Sequence, residues 1–168
     1  MSRLSKYIIP ILMLFALALY AFYPGSTANK FGWNTFSAGI EKAKKENKKI
    51  FIDVYADWCK WCKKMDAEVY ANPDIQKYLK EKFIPIKFNG EATTKITYNG
   101  EKFTHAELTQ AFGISGFPAT VFMKPDGEPI SVLPGYHNPD EFLKILKFIG
   151  DDHYLNSSYE EYLKKKKY

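Results

Sequence analysis

Cysteine is nearly absent: Cys59 and Cys62 are the only two among 168 residues. That scarcity sets aside several protein classes. A secreted scaffold stapled by disulfides spreads more pairs along its chain. A zinc site needs further ligands, and neither a third cysteine nor a nearby histidine is present, since His105, His137 and His153 lie far apart with no metal spacing. No cysteine follows the apolar N-terminal run to carry a lipid. Strong charge is also lacking. The formal net charge is +5, and a chain starting at Asn29 carries 22 Lys against 19 acids, which leaves +3. This is too weak to argue for nucleic acid, and the run Lys164 to Lys167 reads as a solvated tail. Repeats and low-complexity linkers are missing too, so a single domain with extras is expected.

What is present is ample apolar material, 46% of residues with 17% aromatic, enough for a packed core. The N-terminus has the layout of an export signal: Arg3 and Lys6, then apolar residues 7–23, then small residues Ser26-Thr27-Ala28 for cleavage after Ala28. An uncleaved anchor is the competing reading, because 17 residues at about 1.5 Å each reach roughly 25 Å, close to the ~30 Å of a bilayer core. Either way, residues 1–28 are expected to direct the rest of the chain out of the cytoplasm, and membrane association is expected only if the segment is retained.

Along the chain, Asn34 is expected to cap a helix reaching about Glu46, with Phe36, Ile40 and Ala43 on one face. The run Ile50 to Tyr55 is apolar and β-branched, as in a central strand covered on both faces, interrupted only by Asp53. A helix from Trp58 to about Tyr70 and a shorter one from Pro73 to Lys82 follow. Phe83 to Phe88 is a strand, and Pro85 assigns it to an edge or a strand start. Asn99-Gly100 between two β-prone arms signals a hairpin, inserted at about residues 89–103. Thr104 and Glu107 form a capping box for a helix ending near Gly113. Ala119 to Met123 and Ile130 to Leu133 are paired strands, and Asn138-Pro139 opens a helix that buries Phe142, Ile145, Leu146 and Ile149. Residues 151–168 are a polar tail in which Ser158 and Glu161 cap a last short helix. The alternation implies an α/β domain with a mixed sheet.

Two cysteines spent on one Cys-x-x-Cys at a strand-to-helix junction suit a dithiol that cycles with a disulfide; a structural disulfide or half a metal site is the bland alternative. A helix beginning at Trp58 or Cys59 sets the Cys59 sulfur against free N–H groups and the positive end of the helix dipole, while Lys60 and Lys63 add positive potential. Cys59 is therefore the expected nucleophile and Cys62, one turn deeper, the resolving thiol. Asp53 lies on a strand that should be buried, where burial raises a carboxyl pKa unless a partner opposes it. An outward-facing Asp53 is the alternative. Trp58 and Trp61 flank the cysteines, one expected to pack and the other to offer apolar surface to a partner.

The run Tyr55-Ala56-Asp57-Trp58-Cys59-Lys60-Trp61-Cys62-Lys63 after a central strand, with Gly116-Phe117-Pro118-Ala119-Thr120 before a hairpin, resembles the thioredoxin superfamily over roughly residues 31–150. Among its members the chain is most similar to exported forms, the SoxW-type thioredoxins and the C-terminal domain of the disulfide reductase DsbD. The resemblance implies the thioredoxin fold for residues 29–150. It implies a redox-active Cys59–Cys62 pair, a proton-accepting role for Asp53 toward the resolving thiol, and a cis-proline at Pro118 that with Phe117, Trp58 and Trp61 contacts substrate. It further implies a thiol:disulfide oxidoreductase, a protein-disulfide reductase that needs neither metal nor cofactor. Its substrates would be protein disulfides in the periplasm or an equivalent extracytoplasmic space, its electron donor a membrane disulfide reductase. A reading from another class is a non-catalytic thioredoxin-fold assembly factor for metallo- or haem-protein thiols. Lys60-Trp61 replaces the Gly-Pro of thioredoxins proper, which leaves potential and direction open.

Overall fold

The computed structural model describes residues 31–167. The export or anchor segment expected in residues 1–28 lies outside them, and among the described residues no helix is long and apolar enough to cross a membrane.

Strand β1 (Lys49–Tyr55) is the centre of a mixed sheet. Its neighbours are β2 (Phe83–Asn89), parallel to it, and β5 (Ala119–Met123), antiparallel to it; β6 (Pro129–Pro134) pairs antiparallel with β5 to give the order β2-β1-β5-β6. A strand paired on both sides and covered on both faces has no position for a polar residue without a partner, which is why β1 reads as an apolar run. Alternation then sorts the side chains. Ile50, Ile52 and Val54 join Ile84, Ile86, Phe88, Ala119, Val121 and Met123 on one face, under helix α1 (Phe36–Glu46) and helix α4 (His105–Ala111). Phe51 joins Phe83 and Phe122 on the other, under the π-helical segment Met65–Val69, helix α3 (Pro73–Lys82) and helix α5 (Pro139–Gly150).

The expected edge position of Phe83 to Phe88 is found. The Pro85 carbonyl accepts the Asn34 N–H at 2.9 Å, so Pro85 turns its missing donor outward, where no strand of the sheet pairs. Asn34 is consequently a bridge residue beside Ile86 and does not cap the helix; Thr35 takes the N-cap position of α1. The hairpin forms as read: β3 (Lys95–Tyr98) and β4 (Glu101–Thr104) meet at Asn99 and Gly100, whose φ values of 52° and 84° are both left-handed, as a type I′ turn demands. The Thr104/Glu107 and Ser158/Glu161 capping boxes are both made, the second opening helix α6 (Tyr159–Lys166), which buries Tyr162. Asn72 and Asn138 cap α3 and α5, each with proline in the first turn.

The largest departure is in the helix after the cysteines. Helix α2 (Lys60–Lys64) widens into a π-turn at Met65–Val69, closed by the Tyr70 N–H donating to the Met65 carbonyl at 2.9 Å. Helical spacing in a sequence cannot show a single inserted residue, which rotates everything after it by roughly 100°.

Candidate functional site

Beyond Tyr55 the chain leaves the sheet through a tight turn, with the Cys59 N–H donating to the Ala56 carbonyl at 3.0 Å. Cys59 is then the N-cap of α2: its backbone is still extended, and its Sγ accepts the Cys62 N–H at 3.0 Å. Helix N-termini leave such donors unsatisfied, so the sulfur takes the place that a serine or aspartate oxygen usually fills. Cys59 and Cys62 are joined in a disulfide and are both buried, packed with Ala56, Tyr55 and Phe117.

Neither tryptophan packs in the core. Trp58 is 66% exposed and Trp61 54% exposed, which corrects the expectation that one of them packs. Both are nevertheless held. The Trp58 Nε1–H donates to Glu91 Oε2 at 2.8 Å, and its ring meets the edge of Phe117 at 6.1 Å. Trp61 lies 5.3 Å from the Tyr136 ring, with Lys64 Nζ about 5 Å from both ring centres. Tyr136 is fixed in turn by donating its hydroxyl to Glu68 at 2.6 Å.

Across from the cysteines, Phe117 and Pro118 are joined by a cis peptide bond, and the Pro118 carbonyl accepts the Gly135 N–H at 2.8 Å. Phe117 owes its place to Gly90, where a Cβ would sit 2.6 Å from the phenyl ring. A cleft of about 480 Å³ opens beside them, lined by Phe112, Ile114, Phe117, Pro118, Val132 and Gly135 among others.

Asp53 faces inward, on the Phe51 side of the sheet, with 1% of its surface exposed. Its register neighbours are Lys87 on β2 and Thr120 on β5. Lys87 Nζ lies 2.6 Å from Asp53 Oδ2 and also pairs with Asp66. Three rings surround that ammonium: Trp33 and Tyr55 at 5.1 Å and Tyr70 at 5.4 Å. The Tyr70 hydroxyl donates to Asp53 Oδ1 at 3.1 Å. Burial pushes the Asp53 carboxyl up from the ordinary carboxylate range, against the opposing pull of Lys87. Burial acts to lower the Lys87 ammonium, but the two carboxylates outweigh it and hold the group above the usual lysine value.

Sequence reasoning found the cysteines, Asp53 and the Phe117-Pro118 pair but missed Lys87, Tyr70, Gly90, Glu91 and Tyr136. A lone lysine in β2 gave one signal, because a charged residue in an otherwise apolar strand implies a buried counter-charge. Asp66 is the outer partner of that lysine. His105 stacks on Phe88 at 4.1 Å.

A thioredoxin-like domain model matches residues 36–150. The chain belongs to this family. It is a thioredoxin-like domain with a Cys-x-x-Cys motif at Cys59 and Cys62. Human spermatogenesis-associated protein 20 is 32% identical over 109 residues, which are 65% of this chain and 13% of that protein. The thiol:disulfide interchange protein DsbD 2 of Pseudomonas aeruginosa is 28% identical over 89 residues, 53% of this chain and 14% of the relative. The chain thus spans about one seventh of these relatives' length. A thioredoxin-fold protein from Helicobacter pylori superposes with a TM-score of 0.60 at 26% identity, covering 72% of this chain and 80% of that one.

Proposed function

We propose that this protein is an exported protein-disulfide reductase, recharged by the dithiol of a membrane disulfide reductase. The observation that carries the reading is the position of Cys59 Sγ. The N–H that it accepts, from Cys62, is available to stabilise a Cys59 thiolate once the disulfide is reduced. The thiolate attacks one sulfur of a substrate disulfide, forming a Cys59–substrate bond and expelling the other sulfur as a thiolate that takes a proton from water. Cys62 then loses its proton to Asp53 and attacks Cys59 Sγ. The second substrate thiolate leaves, and Cys59–Cys62 returns to the disulfide that the structure holds. Two electrons have passed to the substrate, and a donor dithiol must return them.

Trp58, Trp61, Phe117 and Pro118 form the substrate face. Exposed aromatic rings held in one orientation lose little entropy on contact, and the strand-like backbone beside Pro118 suits an extended substrate segment. The reducing direction rests on the resemblance of the Cys-x-x-Cys region to the disulfide reductase DsbD alone, and the extracytoplasmic location is supported by the charged and apolar residues 1–23.

The test is the potential of the Cys59/Cys62 couple against glutathione, together with reduction of insulin by the protein and a dithiol donor. A potential near −270 mV with insulin turnover is expected; a value near −120 mV would make the protein an oxidant. Inactivity in both directions, with a Cys59→Ser variant still complementing a deletion strain, would replace the reductase with the assembly factor.

A further inference from the structure

Tyr70 is a buried titratable residue that the chemistry above does not use. It follows the π-turn, and without the residue inserted there its side chain would point roughly 100° away from the sheet. Such turns are rare in helices and recur at functional sites, and this one lies in the helix that carries both cysteines. Its result is specific. Asp53 is held from two elements at once, Oδ1 by the Tyr70 hydroxyl at 3.1 Å and Oδ2 by Lys87 at 2.6 Å.

We propose that Tyr70 is a positioning residue for the resolving step: its hydroxyl, delivered by the π-turn, and the Lys87 ammonium together keep the buried Asp53 carboxylate ionised and fixed in one orientation, ready to take the Cys62 proton. The inference rests on Asp53 being that proton acceptor. Every charged or titratable group facing Asp53 fits the assignment. From β2 comes Lys87, whose other partner is Asp66 on the π-turn. From β1 itself comes Tyr55, at the edge of the same cluster. From β5 comes Thr120, a neutral hydroxyl. Lys87 is therefore the only cation, and Tyr70 the only neutral donor hydrogen-bonded to the carboxylate, among the described residues. The phenol stays a donor at every working pH, because burial and the adjacent carboxylate push it well above its usual value. A donor to a carboxylate favours the ionised form, so removing it raises the pH at which Asp53 gives up its proton.

Tyr70→Phe in the full-length chain keeps the ring that packs on Phe51, Trp33 and Phe142, and deletes only the hydroxyl. Two readouts separate the possibilities. The Asp53 carboxyl resonance, assigned by comparison with Asp53→Asn, is titrated by carbon NMR in the oxidised protein. The Cys62 step is followed as the second thionitrobenzoate released in single-turnover reaction with Ellman's reagent, as a function of pH. Tyr70→Phe is expected to raise both midpoints by roughly one to two pH units, the value of one hydrogen bond to a charged group, while leaving the high-pH plateau rate unchanged. An Asp53 titration identical in wild type and Tyr70→Phe overturns the inference. If instead the Asp53 resonance moves but Asp53→Asn has the wild-type rate profile, the proton-acceptor reading fails and the hold of Tyr70 on the carboxylate stands.

Discussion

The Cys59–Cys62 pair has a wet side and a dry side, each built from aromatic rings, lysine and carboxylate. On the solvent side Trp61, Tyr136, Lys64 and Glu68 form one cluster; on the sheet side Trp33, Tyr70, Lys87 and Asp53 form another. Contact geometry does not separate them, for the Tyr136 to Glu68 hydrogen bond is 2.6 Å and the Tyr70 to Asp53 bond 3.1 Å. Burial does. Charges at the surface are screened by water, whereas the same groups in the interior shift one another's protonation and cannot be removed singly without leaving a charge unpaired. The solvent cluster is thus suited to holding a surface in shape for a partner, and the buried one to handling a proton.

The largest effect is expected where the two sides meet. Cys59→Ser should abolish disulfide exchange, while Cys62→Ser should retain the first attack and accumulate a mixed disulfide with substrate, visible on non-reducing gels. A substrate trapped by Cys59→Ser and not by Cys62→Ser would reverse the assignment of nucleophile and resolving thiol.

On the dry side the effects are on stability, and they carry a sign. Lys87→Met removes the cation from a buried carboxylate and should cost about 2–3 kcal/mol in urea unfolding at pH 7, somewhat below the value for a fully buried pair because 22% of the lysine side chain remains exposed. Asp53→Asn should act the other way. The folded Asp53 value lies above the unfolded 3.8 because burial dominates, so its contribution to stability is fully present below that pH and is lost as pH rises through the raised value. The asparagine variant should therefore be more stable than wild type near neutral pH, and the gap should close on acidification below pH ~4. A gap that widened with acid would mean that Lys87, and not burial, governs Asp53.

The wet side was the less legible of the two in the sequence, for a physical reason. Core elements announce themselves through local rules: the apolar run of the central strand, the capping boxes at Thr104 and Ser158 and the Asn99-Gly100 turn are all found. Tyr136 and Trp61, or Glu91 and Trp58, are brought together only by the tertiary fold and leave no pattern in the chain. Asp53 was readable because an acid in an apolar strand breaks a rule. Its partners were not, since Lys87 lies on a strand whose pairing had to be known first, and Tyr70 depends on a π-turn. Asn34 was misplaced by the same logic: local propensity favours a cap there, and the edge of β2 claims its backbone instead.

A smaller effect is expected for Trp61→Ala. It removes exposed apolar surface beside the disulfide, so kcat/KM for insulin should fall by about threefold to tenfold while the rate with Ellman's reagent, too small to reach the ring, stays unchanged. An equal loss with both substrates would show that the Lys60-Trp61 dipeptide acts through the reactivity of Cys59 and not through contact with the substrate.

The smallest effect sharpens the comparison most, because it repeats on the wet side the substitution made on the dry one. Tyr136→Phe deletes a phenol-to-carboxylate hydrogen bond of the same kind as Tyr70→Phe does, and the bond it deletes is the shorter. Glu68 is exposed, however, and water replaces the lost donor at once, whereas Asp53 has no water-facing surface from which to recover. Tyr136→Phe should leave the melting temperature and the pH profile of the Cys62 step where they are in wild type, with at most a slight loss toward insulin as Trp61 gains freedom. Equal shifts of the pH profile in the two variants would mean that burial is not what separates the two sides of the site.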